Sequence, residues 1–134
     1  MNPPDDSLKL RGGLKVIRDE LRNGVITGPI TGSVVLHTSS GTWQPTEFPG
    51  FYVKPIYEDA VAGERTLLMK IEAGARADAH EHPTQFEQIY VLSGTFVDGS
   101  RTLAAGDYCC RAPGARHEGG SDPGAMVLVF YSRR

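Results

Sequence analysis

Sixteen glycines and nine prolines break most of this chain into short runs rich in Val, Ile, Tyr, Phe and Thr. The runs occupy residues 33–37, 51–58, 65–72, 86–92, 95–97, 108–111 and 126–131. Short β-prone runs between turn residues predict an all-β sandwich or barrel. The Asp98-Gly99 pair, ahead of residues 101–103, reads as a two-residue hairpin, because a type I′ turn needs positive φ at both central positions. Asp122-Pro123-Gly124 marks another turn before the last run. No repeat and no second domain are visible, and 134 residues suit one domain with a core that needs no disulfide.

The beginning of the chain has a different character. Residues 1–12 carry Pro3, Pro4, Asp5, Asp6 and Gly12 and read as an arm. Leu14, Ile17 and Leu21 then place a narrow apolar stripe on one short helix over residues 14–23, with Gly24 as its stop. The expected organisation is an arm and helix over residues 1–25 and a β-barrel over residues 26–134. The net charge of −2 comes with no basic stripe, which argues against nucleic acid as a partner. There is no apolar run that would span a bilayer or serve as a signal peptide, so a cytoplasmic protein without membrane contact is expected. Cys109 and Cys110 are adjacent and lack metal or redox spacing; they read as buried, small apolar strand residues.

Chemistry concentrates around the histidines. His80 and His82 are two apart, so in an extended chain both imidazoles face one side. Glu87 opens a β-prone run in which Glu87, Ile89 and Val91 share a face, and His117 follows the turn at Pro113-Gly114. Three imidazoles and a carboxylate suit zinc, iron, manganese, nickel or copper. Alone, a His-x-His pair is a weak signal. Glu81 alternates to the opposite side, and His37 reads as structural.

The frame around the pair carries more. Gly74, His80, His82, Glu87 and Gly94 occur in the order and spacing of the first cupin motif. Gly106, Pro113, Gly114 and His117 follow as the second. The chain therefore resembles the cupin superfamily, which implies a jelly-roll barrel and a single divalent metal held by His80, His82, Glu87 and His117. Two positions depart from the pattern. Ala112 stands where the family has proline, which here has moved to 113, and Ser121 replaces a frequent asparagine. Neither is a ligand position, so they bear on loop shape.

A closer resemblance begins near Trp43. Trp43-Gln44-Pro45, Phe48-Pro49-Gly50, residues 88–94 and Ala105-Gly106-Asp107-Tyr108 are similar to the cupin branch that includes the zinc-binding C-terminal domain of the anti-sigma factor ChrR. No stretch resembles that regulator's helical domain, so the similarity is to the isolated cupin. The branch also includes small iron-dependent dioxygenases that cleave diketones and hydroxyacetophenones. The resemblance thus implies Fe(II) or Zn(II), with Mn or Ni acceptable, and two functions: a dioxygenase of small ketones, or a non-catalytic zinc sensor. A metal-dependent isomerase ranks behind both, for want of an inward-facing general base. A homodimer is also implied. Candidate substrate-binding residues are Trp43, Tyr57, Gln85, Phe96, Tyr108, Arg111 and Phe130, with Met126 as a further lining candidate.

Overall fold

In the computed structural model, residues 20–21 and 24–134 are described, and they form twelve strands. These are β1 (Glu20–Leu21), β2 (Ile26–Thr27), β3 (Val35–Leu36), β4 (Gln44–Pro45), β5 (Phe51–Asp59) and β6 (Glu64–Ile71). They continue as β7 (Arg76–His80), β8 (Gln85–Asp98), β9 (Arg101–Ala104), β10 (Tyr108–Arg111), β11 (His117–Gly120) and β12 (Ala125–Arg133). The helix expected over residues 14–23 lies almost entirely outside the described residues. Its Glu20 and Leu21 instead pair in parallel with Val35 and Leu36. Among the described residues no helix is long and apolar enough to cross a membrane.

The main sheet runs β2-β5-β6-β12-β8-β11-β7, with β4 on β5 and both β9 and β10 on β8. Its antiparallel pairs put every second residue inside. On β12 the buried residues are Ala125, Val127, Val129 and Tyr131, while Phe130 between the last two is 37% exposed. On β6 they are Leu67 and Ile71, flanking the partly buried Met69. Phe51, Ile89, Val91 and Phe96 complete the centre of the core. Burying each such side chain contributes ~1.5–3 kcal/mol relative to leaving it in water.

Strand β8 links the two halves of the fold. The sequence suggested separate runs at 86–92 and 95–97, yet the strand is continuous from Gln85 to Asp98. Its first part pairs with β12 and β10, and its last residues pair with β9 and β11. Between them lies a bulge: Met126 pairs with Ser93 but Val127 pairs with Val91, leaving Leu92 as the extra residue. Glu87, Ile89 and Val91 are buried before it, Phe96 and Asp98 after it, so the inward phase switches from odd to even numbers. Gly94 sits within this bend at φ 73°, and a Cβ there would lie 1.9 Å from the Gly124 carbonyl oxygen. Only glycine fits.

Besides the two-residue strands β2 and β4, the sequence runs miss β7 and β11. Arg76–His80 is polar and His117–Gly120 carries two glycines, so neither has a β-like composition. The hairpin between β8 and β9 is present, but Asp98 is the last strand residue, opposite Arg101, and Gly99-Ser100 makes the turn. Cys109 packs on the core as expected, and burial pushes its thiol pKa up. Cys110 is exposed instead, because alternation turns it outward.

The departures from the second motif are also resolved. Pro113 and Gly114, with Gly114 at φ 82°, occupy the central positions of a turn closed by Ala115 N–H on Ala112 C=O at 3.1 Å. This is the residue pattern of a type II turn. Ser121 is fully buried, donates to Thr95 C=O at 2.6 Å and accepts from Gly124 N–H at 2.9 Å, so it stitches the bend of β8 to the last turn.

Candidate metal centre

His80 ends β7 and His117 begins β11, and the two are direct partners in that antiparallel pair. Their rings are 4.2 Å apart between centroids. His82 lies two residues beyond the strand end, where its carbonyl accepts from Gly114 N–H at 2.9 Å, tying one histidine segment to the turn that delivers the other. Its ring stands 5.3 Å from His80 and 5.4 Å from His117. One nitrogen from each of the three imidazoles lies within 4.8 Å of the others, a spacing able to surround one ion.

Hydrogen bonding sets the tautomers. His80 Nδ1 is 2.8 Å from Asp78 C=O, and His117 Nδ1 is 3.0 Å from Ala115 C=O. A carbonyl can only accept, so each Nδ1 carries the proton and each Nε2 presents a lone pair. Burial lowers the pKa of both His82 and His117, against the opposing pull of the Glu87 carboxylate. The neutral form that a metal requires is therefore favoured. The donor set fits a divalent transition metal.

Glu87 faces two of the three imidazoles. Its Oε1 is 3.7 Å from His117 Nε2 and its Oε2 is 3.9 Å from His82 Nε2. Oε1 accepts from Arg111 Nε at 2.9 Å. Arg111 Nη1 donates to Asp98 Oδ1 at 2.7 Å, and Arg101 reaches Asp98 Oδ2 at 3.0 Å. Glu87, Asp98 and Arg111 are all at most 9% exposed. The Tyr131 phenol is also turned toward Glu87; burial and that carboxylate push its pKa well above the usual tyrosine value, so it stays protonated.

A cavity of about 340 Å³ opens onto the imidazoles. The family model of the ChrR cupin-like domain matches residues 31–133 of this chain. The chain belongs to the ChrR cupin-like family. Solved cupins share its fold. KdgF from Halomonas sp. is 27% identical over 69% of this chain and 86% of that one, at TM-score 0.58. The Rhodobacter sphaeroides complex of SigE with the anti-sigma ChrR matches at 19% identity and TM-score 0.59, over 69% of this chain and 50% of that one. An acetylacetone dioxygenase from Acinetobacter johnsonii matches at 16% identity and TM-score 0.60, over 67% of each chain. The last two likenesses concern fold alone. No curated protein matches this cupin.

The cupin's cavity gathers some of the residues named from sequence and leaves others out. Phe96, Arg111, Glu87 and the three histidines line it. Arg111 is a buried ion-paired group rather than a solvated charge. Trp43 packs instead against Lys54 and Lys70, whose Nζ atoms are 4.6 and 4.9 Å from its ring, on the outer face. Tyr57 turns its hydroxyl to Asp59, and Gln85 stands opposite Arg133 at the start of β8. Tyr108 is 51% exposed and donates to Gln88 Oε1 at 2.7 Å. Tyr108 and Phe130 are outward residues of strands whose neighbouring positions turn in, and Met126 likewise stays off the cavity wall.

The wall is built instead by Phe48, Val53, Leu67, Met69, Ile89, Val127, Val129 and Tyr131, with Glu47 and Arg65 adding charge. The period-two pattern of 67-69 and of 127-129-131 is visible in the sequence, but which face turns in is not. Phe48 could be found only in three dimensions, where its ring lies 5.1 Å from His80. As expected, Glu81 is exposed, with Arg116 3.9 Å away.

Proposed function

We propose that this cupin is a metal-dependent dioxygenase that cleaves a carbon–carbon bond of a small β-dicarbonyl or hydroxyaryl ketone. One observation carries the proposal: the three imidazole nitrogens border a mainly apolar cavity of about 340 Å³. A structural metal site is closed by its own ligands, whereas a catalytic one keeps positions open toward a pocket. A divalent ion at these nitrogens would supply Lewis acidity and a template for two substrate oxygens. Iron(II) suits the chemistry best, though the donors accept Zn, Mn and Ni as well.

The chain's own residues have distinct tasks in this reading. Phe48, Leu67, Met69, Ile89, Val127 and Val129 exclude water and fit the carbon skeleton. Arg111 and Tyr131 supply the polar groups beside Glu87. Dioxygen is the co-reactant, and its two atoms are divided between the fragments released. The acetylacetone dioxygenase from Acinetobacter johnsonii, a protein of the same fold, is a precedent for that chemistry on this scaffold.

A second reading, a zinc-binding regulatory cupin, draws on the proximity of the Glu87 oxygens to two imidazoles and on the ChrR likeness. Oxygen-electrode traces of iron-loaded protein with acetylacetone and with dihydroxyacetophenone separate the two. Uptake stoichiometric with ketone loss supports the oxygenase. Tight zinc binding with no uptake in any metal form would leave the regulatory reading.

A further inference from the structure

We propose that Arg65 is a substrate-binding residue that pairs with a carboxylate carried by the ketone, so that the cavity takes an anionic keto acid in preference to a neutral ketone. This deepens the proposed function and rests on its reading of the cavity as a dicarbonyl site.

Alternation along β6 turns Arg65 to the same side as Leu67, Met69 and Ile71. Leu67 and Met69 form part of the cavity wall, and Arg65 continues their row at the mouth, where its side chain is 44% exposed. Its direct partner on β12 is Tyr131, and the guanidinium carbon lies 5.4 Å from the centre of that ring. The same ring stands 5.3 Å from His82. A path along the cavity therefore leads from the imidazoles, across Tyr131, to a cation.

The two arginines that line the cavity differ in what they hold. Arg111 is committed to Glu87 and Asp98 by bonds of 2.9 and 2.7 Å. Arg65 has Glu58, its partner on β5, whose Oε2 is 4.0 Å from its Nε between two half-exposed side chains. That separation is beyond hydrogen-bond length. Among the described residues no acceptor takes the donors of this guanidinium. The acidic residue of the mouth, Glu47, adjoins the other flank, next to Phe48, whose ring is 5.1 Å from His80.

A neutral ketone filling the cavity would shield the Arg65 donors from water without replacing their hydrogen bonds, and that costs affinity. A carboxylate accepts two of them at once in the planar fork of the guanidinium. The apolar wall between the imidazoles and Arg65 suits the short carbon chain that separates the carbonyls from that carboxylate.

The test compares succinylacetone, a β-diketone ending in a carboxylate, with its methyl ester, by titration calorimetry on zinc-loaded protein at low salt. Zinc has no redox chemistry, so neither probe is consumed. Wild type should bind the acid about 10-fold or more tighter than the ester. Arg65→Gln should remove that preference, while its affinity for the ester stays within about 3-fold of wild type. Arg65→Lys should keep an intermediate preference, because an ammonium offers no planar fork. Equal affinities in wild type, or a preference that survives in Arg65→Gln, would overturn the role of Arg65; binding of the ester would still leave the dicarbonyl site standing. Wild-type protein that binds neither probe would overturn that site and this inference together. If Arg65→Gln does not fold, the wild-type ratio and Arg65→Lys decide.

Discussion

Arg111 and Glu87 face each other across neighbouring strands, and the guanidinium Nε donates to the carboxylate Oε1 at 2.9 Å. Both side chains are buried, and Asp98 accepts a second bond from the same guanidinium at 2.7 Å. Replacing Arg111 by Met would therefore leave the buried Glu87 carboxylate without its cation and Asp98 with Arg101 alone. The expected loss is about 3–5 kcal/mol in chemical denaturation. Adding Glu87→Gln to Arg111→Met should restore part of it, since the stranded charge is then gone. An unchanged denaturation midpoint in the single variant would show that the pair contributes nothing to the fold.

His80 and His117 each need their partner imidazoles to hold an ion, and neither belongs to the apolar core. His80→Ala and His117→Ala should lower zinc affinity by more than about 100-fold, while circular dichroism keeps the wild-type β signal. Retained zinc stoichiometry in both variants would place the metal elsewhere.

The pH dependence has a definite sign. Burial holds the folded-state pKa of His82 and of His117 below the ordinary 6.5. Between that value and the lower folded pKa, the unfolded chain binds more protons than the native one. Stability of the metal-free protein should thus fall as pH drops below about 6.5, until both states are protonated. Urea midpoints measured at neutral pH and at about pH 5 check this; His117→Ala should flatten the decline.

Ser121 satisfies two backbone groups from a fully buried position. Ser121→Ala should cost ~1–3 kcal/mol, because Thr95 C=O and Gly124 N–H lose their partner. Asparagine at that position, the residue more frequent in the motif, should cost as much or more, since a larger side chain would have to fit where the serine is already fully buried. A neutral Ser121→Ala in thermal denaturation would refute the role given to this serine.

Gly94→Ala combines a left-handed backbone with a Cβ set 1.9 Å from the Gly124 carbonyl oxygen. The conformational term alone is ~1–2 kcal/mol, and the clash adds to it by forcing the two strands apart. Because the bulge turns Asp98 inward, this variant should also disturb the buried Asp98–Arg111 ion pair. A variant as stable as wild type in chemical denaturation would show that the bend contributes nothing to the fold.

The parts of this molecule written locally were legible in the sequence. Turn residues and β-prone runs announced an all-β chain, and the spacing of His80 and His82 placed two imidazoles on one side. Glu87, Ile89 and Val91 do share a buried face, as alternation requires. Other assignments needed a direction that no run contains. Trp43, Tyr57, Tyr108 and Phe130 looked like lining because they are aromatic, yet the wall came from Leu67, Met69, Val127 and Val129. The two strands carrying His80 and His117 lacked β composition and are held by their partners instead.

Residue order by itself fixed an all-β chain and set His80 and His82 on one side, since both follow from interactions within a few positions along the backbone. His117 joins them only through the pairing of β11 with β7. Where the carboxylates and the guanidinium stand was decided only in three dimensions. One extra residue at Leu92 shifts the inward phase of β8, which turns Asp98 from a surface turn residue into the buried anchor of Arg111. Such a shift arises from the pairing of distant strands, and alternation counted along a single strand cannot anticipate it.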